Sequence, residues 1–503
     1  MVVEQYDQVT NSRSPLSSEL LFKTAEFLCV DKQPDTSNYK SLLQQFGDNS
    51  FIDDTYDNVY KKLILTRAIT RNPTLPTKAL PAETGLSLDE IKRGQKQLQN
   101  NRLFQSVLTS HYYPGYLFVQ YAQSFLKNLA DNPNYLENVA GHRLVAPKKL
   151  EIHATNASCN YRCEMCLWHV QNQGDYQPNI KQLTLLSADD WKNVLTQAKE
   201  SGTDTIIFSG GGEPLLRPTV ADVINHAKKL GLSTMIYTNG SSLTTLPFNN
   251  SLYQAILDSD WLRVSLHSTT EDRYSRLVNL PLESKPFSRV IKGIERLRTD
   301  IDIQRLPLKL GLGFVIQSLN YDQVEDITQL SSDLGLDFLN LRVDCIDITE
   351  KLTPEEEMQL YDQLRKVRRN LERGKYSQMS IDFADSLISP MNNWTIQPKI
   401  DFASDCRVHY YRSAIDPYGR VAVCDLTAEP FYSRDELTLG YITSSTDYRT
   451  VLTEIADKQF DAGLCTSCMP GQRAINALWH KVLEDRKIGI PPQDQPLLFK
   501  CQQ

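Results

Sequence analysis

Ten cysteines are the residues of this sequence best suited to metal or radical chemistry, and most of them are clustered. Cys159, Cys163 and Cys166 lie within eight residues in a CxxxCxxC spacing. Three thiolates this close in sequence can bind three irons of a four-iron cluster, which leaves the fourth iron open for a ligand. Zinc is the alternative, because a tetrahedral zinc site needs four ligands and His153 and His169 are near in sequence.

A second group of thiols lies toward the end of the chain, at Cys406, Cys424, Cys465 and Cys468. The DPYG segment at 416–419 between the first two is a turn signal and predicts a hairpin. Four thiolates with a terminal CxxC suit a structural zinc ion or a second four-iron cluster equally well. In a cluster all four irons would be satisfied, which favours electron transfer over substrate ligation.

Length and composition limit the class of protein. The chain has 503 residues, a formal charge of −7 and 41% hydrophobic residues, which is more than one core supports and is typical of a globular protein. No apolar run is long enough to span a bilayer, and the first residues lack the pattern of a signal peptide. We therefore expect a cytoplasmic protein with reduced thiols, and its negative charge argues against nucleic acid or an anionic membrane as a partner.

The elements that must position these residues alternate from residue 149 onward. Six β-rich runs are separated by helical segments, at 150–154, 205–208, 233–237, 262–266, 309–316 and 338–343. This alternation predicts an α/β fold with a parallel sheet and right-handed crossovers. Chemistry in such folds is found at the carboxyl ends of the strands, and the CxxxCxxC motif directly follows the first run.

Three further motifs follow successive strands: SGGGEP at 209–214, YTNG at 237–240 and VSLH at 264–267. Together with the CxxxCxxC motif, this order resembles the radical S-adenosylmethionine superfamily. The resemblance implies a partial (β/α)6 barrel, a [4Fe–4S] cluster on the first three cysteines and S-adenosylmethionine as cofactor. Its implied cofactor-binding residues are Ser209, Gly210, Gly211, Gly212, Glu213, Asn239, Ser265 and His267. One departure is Met165, where the superfamily usually has an aromatic residue.

The C-terminal cysteines resemble the twitch domain, a shortened SPASM domain that binds one auxiliary [4Fe–4S] cluster. The resemblance therefore implies two clusters. An external reductant such as flavodoxin or ferredoxin would supply their electrons. The predicted organisation is a helical N-terminal domain, a partial barrel, a helical linker, the auxiliary cluster domain and a Pro-rich tail, at 1–145, 146–350, 351–400, 401–480 and 481–503. Within the first of these, Ser87 is the expected N-cap of a helix to about Asn101, either winged-helix-like or a plain packing helix.

Cys345 stands alone, directly after the sixth predicted strand. A buried structural thiol is the plain interpretation. A thiol at a strand end can also return a hydrogen atom to a carbon radical, which would invert a stereocentre. This combination resembles radical peptide epimerases, which convert L-residues of ribosomal peptides to D-residues. The resemblance implies a precursor peptide as substrate, whose leader the N-terminal region could capture as an added strand.

Two other functions are compatible with the same motifs. The sequence also resembles radical dehydratases and deaminases of sugars and aminosugars, and twitch-containing alcohol dehydrogenases, for which the substrate would be a sugar nucleotide or an aminosugar. None of these reactions needs a hydrogen-donating thiol, so Cys345 discriminates between them and an epimerase. The third hypothesis is a non-catalytic redox or scaffold protein that carries two clusters.

Overall fold

The computed structural model describes most of the central and part of the C-terminal chain. The described residues are 81, 86–98, 109–110, 113–114, 146–170, 184–343, 352–383, 406–429, 433, 435–454, 460, 472 and 476. The chain divides into two compact units. One comprises Met1–Pro133, Ile396–Asp401 and Ala477–Gln503, and the other comprises Asn134–Thr395 and Phe402–Asn476.

In the first unit, helix α1 (Leu88–Leu98) begins at the predicted N-cap. The backbone N–H of Ser87 donates to the Glu90 carboxylate at 2.9 Å, and the Glu90 N–H donates to the Ser87 hydroxyl at 3.3 Å. These reciprocal bonds form a capping box, which satisfies backbone donors that no helical carbonyl can reach. Strands β1 (Thr109–Ser110) and β2 (Tyr113–Pro114) form an antiparallel pair. A winged-helix function for this unit stays a prediction.

The second unit is built on a ten-stranded sheet. All six predicted strands are present, as β3 (Lys149–Ile152), β4 (Thr205–Phe208), β5 (Ser233–Thr238), β6 (Trp261–Ser265), β7 (Lys309–Ile316) and β8 (Phe338–Val343). Four more strands follow: β9 (Ser380–Phe383), β10 (Arg412–Ile415), β11 (Arg420–Ala422) and β12 (Thr438–Tyr441). The strand order is β12-β11-β10-β3-β4-β5-β6-β7-β8-β9. The expected α/β class with a mainly parallel sheet is confirmed.

The sheet extends beyond the six expected strands at both edges. From β10 through β3 to β9 every neighbouring pair is parallel, whereas β11 and β12 are antiparallel additions. The expected hairpin is present, since β10 and β11 pair around the turn at 416–419. Its first strand pairs with β3, so the segment expected to hold the auxiliary cluster shares a sheet with the expected barrel. The predicted domain bounds, and closure into a partial barrel, stay predictions.

Helices connect the strands and cover one face of the sheet. They are α2 (Leu167–Val170), α3 (Ala188–Glu200), α4 (Val220–Lys229), α5 (Ser251–Leu257), α6 (Glu271–Leu277), α7 (Pro286–Gln304), α8 (Val324–Asp333), α9 (Pro354–Glu372), α10 (Asp425–Ala428) and α11 (Tyr448–Glu454). No helix in the described ranges is both long and apolar enough to cross a bilayer.

The two faces of the sheet differ in chemistry. Successive side chains of a strand point to opposite faces, and residues paired across strands share a face. On β7, Leu310, Leu312 and Phe314 are buried, and with their register partners they form the apolar face that packs against helices such as α8. The alternate positions carry polar, charged or glycine residues on several strands, and we call this side the inner face. Glu151 and Arg263 belong to it.

A buried ion pair fixes the hairpin that joins β10 to β11. Arg420 is 4% exposed, and its Nε donates to Asp416 at 3.2 Å. One of its terminal nitrogens donates to the carbonyls of Thr427 and Ala428, both at 2.9 Å. This one guanidinium therefore ties the turn to α10, the short helix that follows Cys424.

Replacing Arg420 by Gln should destabilise the second unit by about 3 kcal/mol or more, because the Asp416 carboxylate would stay buried without its cation. The matched control is Arg449→Gln, since Arg449 forms an exposed pair with Glu200 and its loss should cost less than about 1 kcal/mol. Denaturant unfolding measures both. Equal midpoints for the two variants would contradict a fixing role for Arg420.

Candidate active site

The three clustered cysteines lie on the loop between β3 and α2. Two backbone hydrogen bonds attach this loop to the end of α6, from Arg162 N–H to the Val278 carbonyl at 3.0 Å and from Glu164 N–H to the Leu277 carbonyl at 3.3 Å. A third, from Cys166 N–H to the Cys163 carbonyl at 3.1 Å, closes a turn between two of the thiols. The loop is thus held at the carboxyl end of the sheet, where the sequence predicted it.

The three thiols are close enough to influence one another's ionisation. All three are reduced thiols and partly buried. Burial raises the pKa of Cys159, and burial together with the charges of Cys166 and Cys159 raises the pKa of Cys163 well above its usual value. Cys159 Sγ accepts from Tyr161 N–H at 3.4 Å and from Asn239 Nδ2 at 3.6 Å. A bound cation would offset the repulsion between the thiolates.

This donor set fits an iron–sulfur cluster. Thiolates are the usual ligands of such clusters, and each would bind a different iron rather than converge on one ion. Within the described ranges, no three His, Cys, Asp or Glu side chains come together closely enough to hold a single metal ion. Cys159, Cys163 and Cys166 would hold the cluster, which supplies one-electron chemistry when bound.

The glycine-rich segment after β4 is fastened directly to the cysteine loop. Glu213 N–H donates to the Ser158 carbonyl at 2.9 Å, and the Thr155 hydroxyl donates to the Gly211 carbonyl at 2.7 Å. Gly212 has φ +120°, and a Cβ there would lie 2.2 Å from the Ser158 carbonyl oxygen. Only glycine allows this approach. The backbone of 210–212 therefore passes directly beside the cysteine loop.

Glu213 links the ends of β4 and β5. Its side chain is buried, and the carboxylate accepts from the Thr238 hydroxyl at 2.6 Å, Asn239 N–H at 2.7 Å and Leu215 N–H at 3.1 Å. Burial raises the pKa of Glu213 to about 7, although these donors oppose the shift. The structure therefore gives Glu213 a positioning role. Its expected contact with a cofactor stays a prediction, as do those of Ser209, Gly210, Gly211 and Gly212.

Asn239 connects the end of β5 to the cysteine loop. Its Nδ2 donates to Asn160 Oδ1 at 2.9 Å as well as to Cys159, and its Oδ1 accepts from Ser241 N–H at 2.9 Å. Asn160 Nδ2 in turn donates to the Ser241 hydroxyl at 2.9 Å. The SGGGEP, YTNG and CxxxCxxC motifs therefore form one hydrogen-bonded group.

The end of β6 supplies Ser265 and His267. His267 is buried, and its Nδ1 accepts from Val315 N–H at 3.1 Å, which leaves Nε2 as the protonated nitrogen of the neutral ring. Burial and the nearby charge of Arg263 lower the pKa of His267 to about 4, so the ring is neutral at pH 7. A neutral imidazole can donate one hydrogen bond without adding charge. The expected contacts of Ser265 and His267 with a cofactor stay predictions.

The sequence missed a group of charges on the inner face. Arg412 on β10 reaches Glu151 on β3 at 2.5 Å and Asp425 on α10 at 2.7 Å. Burial alone would raise the pKa of Glu151, but the charge of Arg412 and the neighbouring His153 lower it to about 2. A signal was present in the predicted run at 150–154, where Glu151 and His153 alternate with apolar residues.

The C-terminal cysteines are described in part. Cys406 and Cys424 are both buried. Burial raises the pKa of Cys424 well above its usual value, and the charges of Asp425 and Cys406 raise it further, so the two thiols are near each other. Cys465, Cys468 and Cys345 lie outside the described residues, and the four-thiol group and the role of Cys345 stay predictions.

Comparison with known proteins shows similarity over part of this chain. Residues 155–347 match the model of the Radical SAM superfamily. A probable GTP 3',8-cyclase of Saccharolobus solfataricus is 30% identical over 193 residues, which cover 38% of this chain and 55% of that protein. The chain spans about half the length of the curated relatives it matches.

Solved structures are similar at lower identity. Streptococcus suis SuiB bound to precursor peptide SuiA is 16% identical with a TM-score of 0.45, and the match covers 67% of this chain and 69% of that chain. BtrN in complex with AdoMet and 2-DOIA is 13% identical with a TM-score of 0.28, covering 61% and 82%. These likenesses assign no activity to this chain.

The close approach at Gly212 gives a steric prediction. Gly212→Ala should destabilise the protein by at least about 2 kcal/mol more than Gly202→Ala, because the new methyl group would overlap the Ser158 carbonyl. Gly202 is a matched control, since its φ is +104° and no atom lies within 4 Å of a Cβ placed there. Denaturant unfolding measures the difference. Similar losses in both variants would mean that backbone strain, not the packing of the two loops, explains the glycine.

Proposed function

We propose, from the match of residues 155–347 to the model of the Radical SAM superfamily, that this chain is a radical enzyme of that superfamily acting on an unactivated C–H bond. The superfamily implies S-adenosylmethionine and a [4Fe–4S] cluster, which together supply a 5′-deoxyadenosyl radical. The observation that carries the proposal is the direct attachment of the CxxxCxxC loop to the glycine-rich loop, through Glu213 N–H and the Ser158 carbonyl at 2.9 Å.

Within this proposal, residues at different strand ends bind different parts of the cofactor. The backbone of 210–212 would receive the methionine amino group, because glycines allow a ligand to come close. Asn239, Ser265 and His267 would contact the ribose and carboxylate. Ser209 and Glu213 would hold the glycine segment in register, and the three donors to Glu213 support that role.

We further propose an auxiliary [4Fe–4S] cluster on Cys406, Cys424, Cys465 and Cys468. The burial and mutual proximity of Cys406 and Cys424 support it. A structural zinc ion on the same four thiolates is the rival. An external one-electron donor such as flavodoxin or ferredoxin would supply the electrons.

The favoured reaction is epimerisation of an L-residue in a ribosomal precursor peptide, with Cys345 as hydrogen donor. The radical takes a hydrogen atom from one face of the carbon, and the Cys345 S–H bond breaks to return one to the other face. The resulting thiyl radical would regain an electron from the auxiliary cluster and a proton from solvent. Support comes from the position of Cys345, two residues beyond the end of β8 (Phe338–Val343).

Elimination or oxidation of a sugar nucleotide or aminosugar is the second candidate. It would use the same radical and the same strand-end residues, without a thiol donor. Asp344 and Cys345 lie outside the described residues, and experiments on Cys345 must therefore separate the two.

Replacing Cys159, Cys163 and Cys166 together by Ala should abolish formation of 5′-deoxyadenosine, because the cluster would lose its protein ligands. Iron per chain should fall from about eight to about four. Chromatography of the products and an iron assay measure these quantities in anaerobically reconstituted protein. A triple variant that still cleaved S-adenosylmethionine would refute the assignment of the catalytic cluster. Four irons with one zinc in the unaltered protein would refute the auxiliary cluster.

A reaction in D2O tests Cys345. Thiol hydrogens exchange with solvent, so an epimerised product should carry one deuterium on the inverted carbon, while 5′-deoxyadenosine takes its new hydrogen from the substrate. Mass spectrometry locates both labels. Cys345→Ala should still cleave the cofactor and should fail to invert the residue.

The matched control for this variant is Cys345→Ser, which keeps the size of the side chain and loses the weak S–H bond. It should also fail to invert. Normal product from either variant, or a product lighter by water, ammonia or two hydrogens, would exclude epimerisation and favour the sugar-type reaction.

A further inference from the structure

Three arginines share the inner face of the sheet. Arg263 lies on β6 and Arg342 on β8, and the register places both on the side occupied by Gly311, Gly313 and Val315 of the intervening strand β7. Arg412 on β10 belongs to the same side through its contact with Glu151 of β3. The inner face therefore carries an unusual density of positive charge for the interior of a parallel sheet.

The nearby carboxylates do not neutralise these arginines equally. Glu151 and Asp425 both contact Arg412, at 2.5 Å and 2.7 Å. Within the described part of the chain, no carboxylate lies within ion-pair distance of Arg263 or Arg342. Among the described residues, Arg263 and Arg342 therefore form no ion pair on the inner face.

Arg263 is held in place with part of its hydrogen-bonding capacity unused. Its guanidinium carbon lies 3.5 Å from the centre of the Tyr237 ring, a stacked cation–π arrangement. Its Nε is buried and has no hydrogen-bond partner among the described atoms. A buried donor without an acceptor is costly, so it is found where a ligand supplies the acceptor.

The neighbouring strand β7 leaves room for the Arg263 side chain. At Gly313 an added Cβ would lie 3.1 Å from Arg263 Cδ and 3.1 Å from its Nε. Burial lowers the pKa of Arg263 to about 10, and the like charge of Arg342 contributes to the lowering. Arg263 therefore stays protonated at neutral pH. Arg342 pairs with Val315, which is the next residue of β7 on the same face after Gly313, so the two arginines are neighbours on the inner face.

We propose that Arg263 and Arg342 bind an oxyanion of the substrate, a carboxylate or a phosphate group. The inference rests on the proposed function, because it takes the inner face as the place where substrate binds beside the cofactor. The cysteine loop and the glycine segment follow β3 and β4, whereas Arg342 is on β8, at the other side of the strand order. An anion held there would be separate from the cofactor. A planar guanidinium suits bidentate recognition of either group.

The test measures binding of two probes, inorganic pyrophosphate and succinate, by isothermal titration calorimetry. It uses the full chain, anaerobically reconstituted and saturated with S-adenosylmethionine. We expect at least one probe to bind, and Arg263→Gln and Arg342→Gln each to raise its dissociation constant by at least about tenfold. Arg365→Gln is the matched control, since Arg365 pairs with Asp362 on helix α9 and its loss should leave the constant unchanged. Arg342 is exposed, so its variant keeps the test valid where Arg263→Gln does not fold.

The identity of the probe distinguishes the source of the anion. Preference for pyrophosphate indicates a phosphorylated substrate such as a sugar nucleotide, and preference for succinate indicates a carboxylate, as in an acidic peptide residue. Either outcome supports the subsite. Unchanged binding in both variants, or no binding of either probe by the unaltered protein, overturns it. A variant that loses affinity for S-adenosylmethionine while it binds the probe normally would assign the arginines to the cofactor and also overturn it.

Failure of the proposed function would be visible separately. A protein that forms no 5′-deoxyadenosine after reduction, yet binds the probes through Arg263 and Arg342, is an anion-binding protein and not a radical enzyme. If the protein forms 5′-deoxyadenosine and binds neither probe, the proposed function stands and the anion subsite is refuted.

Discussion

The backbone contact between the cysteine loop and the glycine-rich loop is the constraint on which the rest of the site depends. The Ser158 carbonyl accepts from Glu213 N–H at 2.9 Å, and Gly212 passes so close that a single methyl group would overlap it. Once this contact is made, Glu213 can turn its carboxylate toward the end of β5, where Thr238 and Asn239 donate to it. The Asn239 side chain then donates to Cys159 Sγ, on the same loop as Ser158. Thus one close approach between neighbouring strand ends sets the positions of three motif segments.

A second constraint is the pairing of β10 with β3. This parallel pair brings residues about 260 positions apart in sequence into contact, since Arg412 contacts Glu151. Because α10 begins directly after Cys424, the same ion-pair group includes Asp425. A site formed on Cys424 would therefore be electrostatically coupled to the inner face.

The sequence predicted the elements with strong local signals and missed those that depend on distant contacts. Strands β4, β7 and β8 match the predicted bounds, because each is a short β-rich run flanked by clear breaks. Strand β9 was missed, since four residues with two polar side chains resemble a loop. The parallel pairing of β10 was also missed, because no periodicity in the chain records which distant strand is its neighbour.

The same difference between local signals and distant contacts applies to the residues of the candidate active site. Strand-end motifs identified Glu213, Asn239 and His267 by type and order. Their hydrogen-bond partners could not be predicted, because those depend on how the strand ends meet. Glu213 is one example: its oxygens accept from Thr238, Asn239 and Leu215, and its expected contact with the cofactor stays a prediction. The ion pairs of Arg412 likewise needed the sheet order.

Several departures from the ordinary rules of folding lie on the inner face of this sheet and at its strand ends. The helix-packed face is apolar and fully buried, as at Leu310 and Leu312. The inner face and its strand ends hold a buried carboxyl with a pKa of about 7, a buried arginine nitrogen without an acceptor and three successive glycines at positive φ. Each feature costs stability by itself. A fold can keep such costs where ligands offset them, which agrees with the proposal that cofactor and substrate meet at the carboxyl ends of β3 to β8.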